Sequence, residues 1–291
     1  MKTPQLPYPK LSRTLGIPSE VWFKREDLHK YGSHKGRSLP LMIDTYRQQG
    51  ITDFIIASSG NAALAAARYI QTKNKGGSTP PLTLQMLVGA KIDPAKLRLL
   101  TQTTDDNITL EQREDPLQTA FKLEQTGPGK WLRQSADELA LVGYYELAGE
   151  LAKIPQLSAI FIPTSSGTTA QGLYEGCRPL KLNPQIHIIQ TDYCHPMVEK
   201  EEKEKSESSL AKAIVDRVAR RKAKVQEAIK NSGGAGWIAT DAQISAAMKL
   251  VKEQTGLIIS PNSALSMVGL QQAIAAGWRW EGAVVCLITG A

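Results

Sequence analysis

Short apolar runs of strand length alternate with longer stretches of helical period along almost the whole chain, and this alternation limits the fold more than any other feature. Residues 21–24, 54–57, 82–88, 159–162, 186–190 and 284–288 read as buried strands. Between them, 39–49 is helical and stops at Gly50, 61–71 is an alanine-rich helix, and Asp93-Pro94 opens another. Residues 137–152, a helix start at 170–176, 244–255 and 264–276 continue the series, and Leu210, Ile214, Val218, Val225 and Ile229 recur at helical spacing. Apolar strands separated by helices predict α/β architecture, with mostly parallel sheets covered on both faces. Such folds bind ligands in the loops leaving the carboxyl ends of strands.

The 291 residues suffice for one large domain or two interleaved ones. The formal net charge of +7 raises the question of a nucleic-acid partner. Much of that charge lies in mixed runs, 200–205 and 217–224, that read as solvated faces, and no recognition motif accompanies it. No nucleic-acid partner is therefore expected. Cys177, Cys194 and Cys286 form no CxxC pair, which suits a reducing compartment. The four histidines (His29, His34, His187, His195) show no zinc spacing, so no metal site is expected. Residues 1–14 lack a signal-type apolar run, and apolar runs such as 283–288 are too short for a bilayer. The expectation is a soluble cytoplasmic protein without a membrane partner.

Three loops beside predicted elements carry candidate chemistry. In the first, Gly32-Ser33-His34-Lys35-Gly36-Arg37-Ser38, a lysine stands in a turn next to glycines. It is either an exposed loop lysine or, if desolvated, a nucleophile. In the second, Ser58, Ser59, Gly60 and Asn61 link a strand to a helix. They form either a carboxylate cradle of free N–H groups or an ordinary capped turn. The third, Ser165, Ser166, Gly167, Thr168 and Thr169, follows a strand with hydroxyls and a glycine suited to a phosphate dianion. Neither GxxxxGK[ST] nor GxGxxG is present.

Together these loops resemble those of the fold type II pyridoxal phosphate (PLP) enzymes, the tryptophan synthase β family. Phe23-Lys24-Arg25-Glu26-Asp27-Leu28 followed by Gly32-Ser33-His34-Lys35 is similar to the family's KREDL…GSxK signature, and Ser58-Ser59-Gly60-Asn61 to its SxGN loop. The C-terminal half resembles threonine synthase within that family: Ile258–Ala264 is similar to a VEPASA segment, and Leu287-Ile288-Thr289-Gly290 to an LTGHG segment. The loop 58–67 is equally similar to that of serine/threonine dehydratase.

The resemblance implies PLP as cofactor, held by Lys35 as a Schiff base. It assigns the substrate carboxylate to Ser58, Ser59, Gly60 and Asn61, with Asn61 also facing the cofactor's ring hydroxyl. It assigns the cofactor phosphate to Ser165, Ser166, Gly167, Thr168 and Thr169, and the pyridine nitrogen to Thr289. Arg37 is a candidate contact for a phosphorylated substrate, or else a surface ion pair. The implied architecture is two three-layer α/β/α domains with mostly parallel sheets and PLP in the cleft between them. Residues 1–33 and 136–291 would form the larger domain, and 34–135 a smaller mobile one.

The implied reaction is β/γ-elimination or replacement on a small amino acid, as in threonine synthase, with serine/threonine dehydratase and cysteine synthase as same-class alternatives. A non-catalytic binding protein that keeps the fold is the alternative of another class. Family members often form dimers, so a homodimer is expected. Departures from the threonine synthase pattern are Gly36 in place of an aspartate, Ser260 in place of a glutamate, an SSGTT phosphate loop, and a chain stopping at Ala291 just after the threonine motif.

Overall fold

The computed structural model describes residues 2–198 and 206–290. The charged run 200–205 read above lies outside them. The strands are β1 (Gln5–Pro7), β2 (Val21–Arg25), β3 (Asp53–Ala57), β4 (Thr83–Gly89), β5 (Ile108–Arg113), β6 (Lys130–Trp131), β7 (Leu157–Pro163), β8 (Gln185–Thr191), β9 (Gly236–Ala239) and β10 (Ala283–Ile288). The helices are α1 (Pro9–Thr14), α2 (Leu39–Gln48), α3 (Asn61–Lys75), α4 (Pro94–Thr101), α5 (Pro116–Thr126), α6 (Leu139–Leu151), α7 (Thr168–Cys177), α8 (Lys222–Ser232), α9 (Asp241–Thr255) and α10 (Pro261–Ala275).

The chain divides into two compact units, Lys30–Gly143 and Met1–His29 with Tyr144–Ala291. The larger contains a six-stranded sheet in the order β1-β2-β10-β7-β8-β9. β1 runs antiparallel to β2, and every other pairing in that sheet is parallel. Every residue of β10 is buried, and its alternate side chains enter different cores. Val284, Cys286 and Ile288 pack with residues of α9 and α10, such as Ile244 and Leu265. Val285 and Leu287 pack with residues of α6, α7 and α8, such as Leu147, Leu173 and Val225. Helices on both faces explain why these strands read as unbroken apolar runs.

The Lys30–Gly143 unit repeats the plan with a parallel sheet, β5-β4-β3-β6. Phe54, Ile56, Leu84 and Met86 face α2 and α3, whereas Ile55 and Leu87 share a smaller core with Ala120 of α5 and Trp131. Both units are therefore three-layer α/β/α structures.

Two buried polar systems stand in the larger unit. Lys24 on β2, with no exposed surface, ion-pairs with Glu150 of α6 and donates to the Thr3 carbonyl at 2.9 Å. This pairing ties the N-terminal strand to α6, and removing one partner would leave an uncompensated buried charge. His187, fully buried on β8, stacks on Phe161 with ring centroids 4.4 Å apart. Its Nδ1 accepts from the Trp237 indole at 3.1 Å. Burial pushes its pKa down to about 3, so the ring is neutral at ordinary pH.

One expected element is corrected. The helix read from Leu210 to Ile229 begins only at Lys222. Leu210 and Val218, 44% and 67% exposed, do not belong to an apolar stripe. The preceding segment is held instead by side chains that accept its backbone N–H groups: Asp241 takes Leu210, Asn262 takes Ala213, and Ser165 takes Val215 and Asp216.

Candidate active site

Lys35 lies in a single 3-10 turn, His34–Arg37, that leads into α2. Gly32 enters the turn with φ +92°, a conformation that favours glycine. Ser33 is fully buried, and its hydroxyl accepts the Lys35 N–H at 3.3 Å. Gly36 N–H closes back on the Ser33 carbonyl at 3.0 Å. From the other side Gln134 donates to the Ser38 hydroxyl, which reaches the Lys35 carbonyl at 3.5 Å. Lys35 itself is partly buried. Its backbone is thus fixed at both ends, so the side chain projects from a defined point. Arg37 is 4% exposed, so its side chain lies within the fold rather than on the surface.

The second loop follows β3. Ser58 N–H extends the sheet by donating to Leu87 at 3.2 Å, and the Ser58 hydroxyl accepts from Gly60 N–H at 3.4 Å. Gly60 is the N-cap residue of α3, with no side-chain cap and no atom within 4 Å of where a Cβ would stand. Asn61 is the first helical residue rather than the cap. The reading of Ser59 or Asn61 as an ordinary cap therefore fails. The start of α3 keeps N–H groups that no side chain of its own cap satisfies.

The third loop, in the larger unit, has the same construction. Gly167, at φ +85°, is the N-cap residue of α7 and also lacks a side-chain cap. A Cβ there would fall 2.7 Å from Val225 and 3.3 Å from the Cβ of Arg221, so glycine is required by space as well as by φ. Thr168 and Thr169 open the helix, which starts two residues before the expected 170. The Ser166 and Thr168 hydroxyls lie 3.0 Å apart. The Ser165 oxygen accepts from Val215 and Asp216, which leaves its hydroxyl proton to donate to a ligand. α4, α5, α9 and α10 are capped by Asp93, Asp115, Thr240 and Ser260, whereas α1, α2 and α8 also start without a side-chain cap.

Thr289 is 4% exposed at the end of β10. The next residue, Gly290, donates its N–H to the Ser263 hydroxyl at 3.3 Å and accepts from that hydroxyl at 3.1 Å. Ser260 donates to the same carbonyl. The 258–264 segment thus clamps the residue beside Thr289. Sequence reading missed this clamp, and also the supports at Gln134 and Ser38, because each depends on contacts between residues far apart in the chain. Arg221, 5% exposed, sits against Gly167 and donates to Gln171 at 3.1 Å, and nothing in its local sequence marks it.

The family model for pyridoxal-phosphate dependent enzymes matches residues 1–290. The chain belongs to this family. Its cofactor is PLP, and it is an enzyme. Curated relatives include threonine synthase of Mycobacterium leprae, 28% identical over an alignment of 298 positions that covers 99% of this chain and 80% of that protein. Threonine synthase of Methanocaldococcus jannaschii is 24% identical over 96% of this chain and 72% of its own length. Among solved structures, the processed form of threonine deaminase isoform 2 from Solanum lycopersicum superposes with a TM-score of 0.82 at 18% identity. It covers all of this chain and 84% of its own. Maize serine racemase gives 0.79 at 16% identity, over all of this chain and 88% of its own. Likeness at this level shows that the fold is shared.

The donor set fits PLP. A glycine-started helix with neighbouring hydroxyls suits the cofactor's phosphate dianion. Thr289 offers a neutral hydroxyl of the kind a pyridine nitrogen accepts, and Lys35 offers the amine that an aldehyde needs.

Proposed function

We propose that the chain catalyses elimination and replacement on a small amino acid in the manner of a threonine synthase, converting O-phosphohomoserine and water to threonine and phosphate. The observation that carries this reading is the agreement of its curated relatives. Threonine synthases from bacteria and archaea align over 96–99% of the chain. In this reading both residue sets serve one cofactor. Lys35 anchors it, Ser165, Ser166, Gly167, Thr168 and Thr169 hold its phosphate, Thr289 meets the ring nitrogen, and Asn61 faces the ring hydroxyl.

The uncapped start of α3 binds the substrate carboxylate with Ser58, Ser59 and Gly60. Once displaced by substrate, the Lys35 Nζ takes the α proton. When bound, PLP supplies an electron sink for the charge that develops at the α carbon. A neutral Thr289 leaves the ring nitrogen without a carboxylate partner, which favours elimination and replacement over transamination. Arg37 is assigned to the substrate phosphate. The smaller domain, 34–135, closes over the substrate and shuts out bulk solvent while retaining the water that adds. We extend the reading to a cytoplasmic homodimer with no nucleic-acid or membrane partner. Three buried cysteines without a disulfide suit a reducing compartment, and light scattering reads the oligomer.

Product analysis tests the reaction. The protein is incubated with O-phosphohomoserine, serine, threonine and O-acetylserine in turn. Equal amounts of phosphate and threonine from the first substrate are expected. A keto acid and ammonia from serine or threonine, without threonine synthesis, would make it a dehydratase. Sulfide-dependent cysteine formation would make it a cysteine synthase. Absence of a visible cofactor band that borohydride removes would leave a non-catalytic binding protein.

A further inference from the structure

A groove of about 290 Å³ opens in the Lys30–Gly143 unit, lined by Lys30, Tyr31, Arg68, Gln71, Thr72 and Lys75. It contains none of the residues assigned above. Four of the six lie on one face of α3, at spacings of three and four residues. Lys30 approaches from the segment before Gly32, its Nζ 4.7 Å from the Tyr31 ring centroid. Three cations from two elements therefore line one depression, and no carboxylate lines it with them.

Among the described residues none of these cations forms an ion pair. Their neighbour Lys73, on another face of α3, pairs with Asp44 at 2.9 Å. Asp105 stands at the rim, where it accepts from Gln71 at 3.3 Å. Gln71 also donates to the Thr103 carbonyl, and Thr72 to the Arg68 carbonyl. Like charges gathered in a partly enclosed space repel one another, and a multivalent anion removes that cost. The arginine fork suits phosphate oxygens in particular. Arg68 and Lys75 are separated by about 10 Å of helix rise, more than one tetrahedral anion spans.

The groove also touches the lysine turn. The Arg68 Nη1 stands 2.7 Å from where a Gly32 Cβ would be, so the guanidinium fills the space the glycine leaves. Ser33, the next residue, caps the turn that carries Lys35.

We propose that this groove binds a small anion bearing two or more phosphate groups, and that its occupancy steadies the turn leading to Lys35. The second part rests on the role given to Lys35 above.

Calorimetric titration of the cofactor-loaded protein with pyrophosphate at low ionic strength tests the site, with ADP run in parallel. One saturable site per chain is expected, weakening as salt is added. Arg68→Gln lowers its affinity about tenfold or more, and Lys30→Gln and Lys75→Gln, both at exposed positions, lower it severalfold each. Tighter binding of ADP identifies a nucleotide as the source of the phosphates, and tighter pyrophosphate an inorganic one. Either supports the site. Absence of a saturable site, or affinity unchanged in the Lys30→Gln/Lys75→Gln double variant, overturns it. For the coupling, pyrophosphate slows cofactor exchange in the parent protein, and in Lys75→Gln the same slowing requires severalfold more pyrophosphate. An unchanged exchange rate in the parent overturns that part alone. If no covalent cofactor–lysine link forms at all, the proposed function fails, while the titration still reads the groove.

Discussion

Gly143 lies so close to the main chain of Arg37 that a Cβ on it would fall 2.3 Å from the Arg37 carbonyl oxygen. The first turn of α6, up to Gly143, therefore seats directly against the end of the lysine turn, where only glycine fits. Gly143→Ala is expected to cost about 1–3 kcal/mol, because backbone on both sides must shift. Gly149, on the same helix, has nothing within 4 Å of its Cβ position. Gly149→Ala should stabilise by up to about 1 kcal/mol through helix propensity alone. Urea unfolding of the two variants side by side checks the contrast. Equal effects would mean that the close approach at Gly143 carries no weight.

The Ser263 hydroxyl serves both the N–H and the carbonyl of Gly290. Ser263→Ala leaves a buried N–H without that partner, at a cost of about 1–3 kcal/mol. It also frees the residue beside Thr289. Thermal unfolding should show the loss, and cofactor affinity should fall with it. Unchanged affinity would detach this clamp from the ring-nitrogen role given to Thr289.

His187 sets a pH dependence. Its ordinary pKa of 6.5 is pushed down to about 3 by burial. Between those values the unfolded chain binds a proton that the folded chain refuses, so stability falls as pH drops through that window. The slope from this one group reaches about 1.4 kcal/mol per pH unit. His187→Phe, which cannot titrate, should flatten the acid limb of a stability–pH curve relative to the parent. A parallel curve would show that the ring protonates readily in the fold.

Lys35→Ala should abolish the borohydride-sensitive visible band and lower turnover by about 10²–10⁴-fold through loss of the base alone. Because Ser33 and Gln134 hold the turn through backbone and hydroxyl groups, the variant should still fold, as read by circular dichroism. A surviving lysine–cofactor link in the variant would move the anchor elsewhere.

The strands visible in the sequence are those buried on both faces, such as β8 and β10, where apolar residues leave no gap. β5 was invisible for the opposite reason. It lies at a sheet edge, and of Ile-Thr-Leu-Glu-Gln-Arg only Ile108 is buried. The segment before α8 misled because Leu210, Ile214 and Val218 have helical spacing by coincidence. The residues that anchor it are Ala211 and Ile214, both buried, along with polar contacts that leave no periodic trace. At the site, the glycines and hydroxyls were legible because turns and helix starts restrict residue choice locally. Gln134, Gly143 and Arg221 were not, since their importance comes from neighbours distant in the chain.

In the larger sheet, β2 sits between β1 and β10, the latest strand in the sequence. During synthesis on the ribosome β2 must therefore wait, one edge unpaired, until β10, about 260 residues later, has emerged. The Lys30–Gly143 unit is continuous in sequence and faces no such delay. A nascent chain should thus carry one finished unit alongside an open-edged sheet, the species most exposed to aggregation and to chaperone capture.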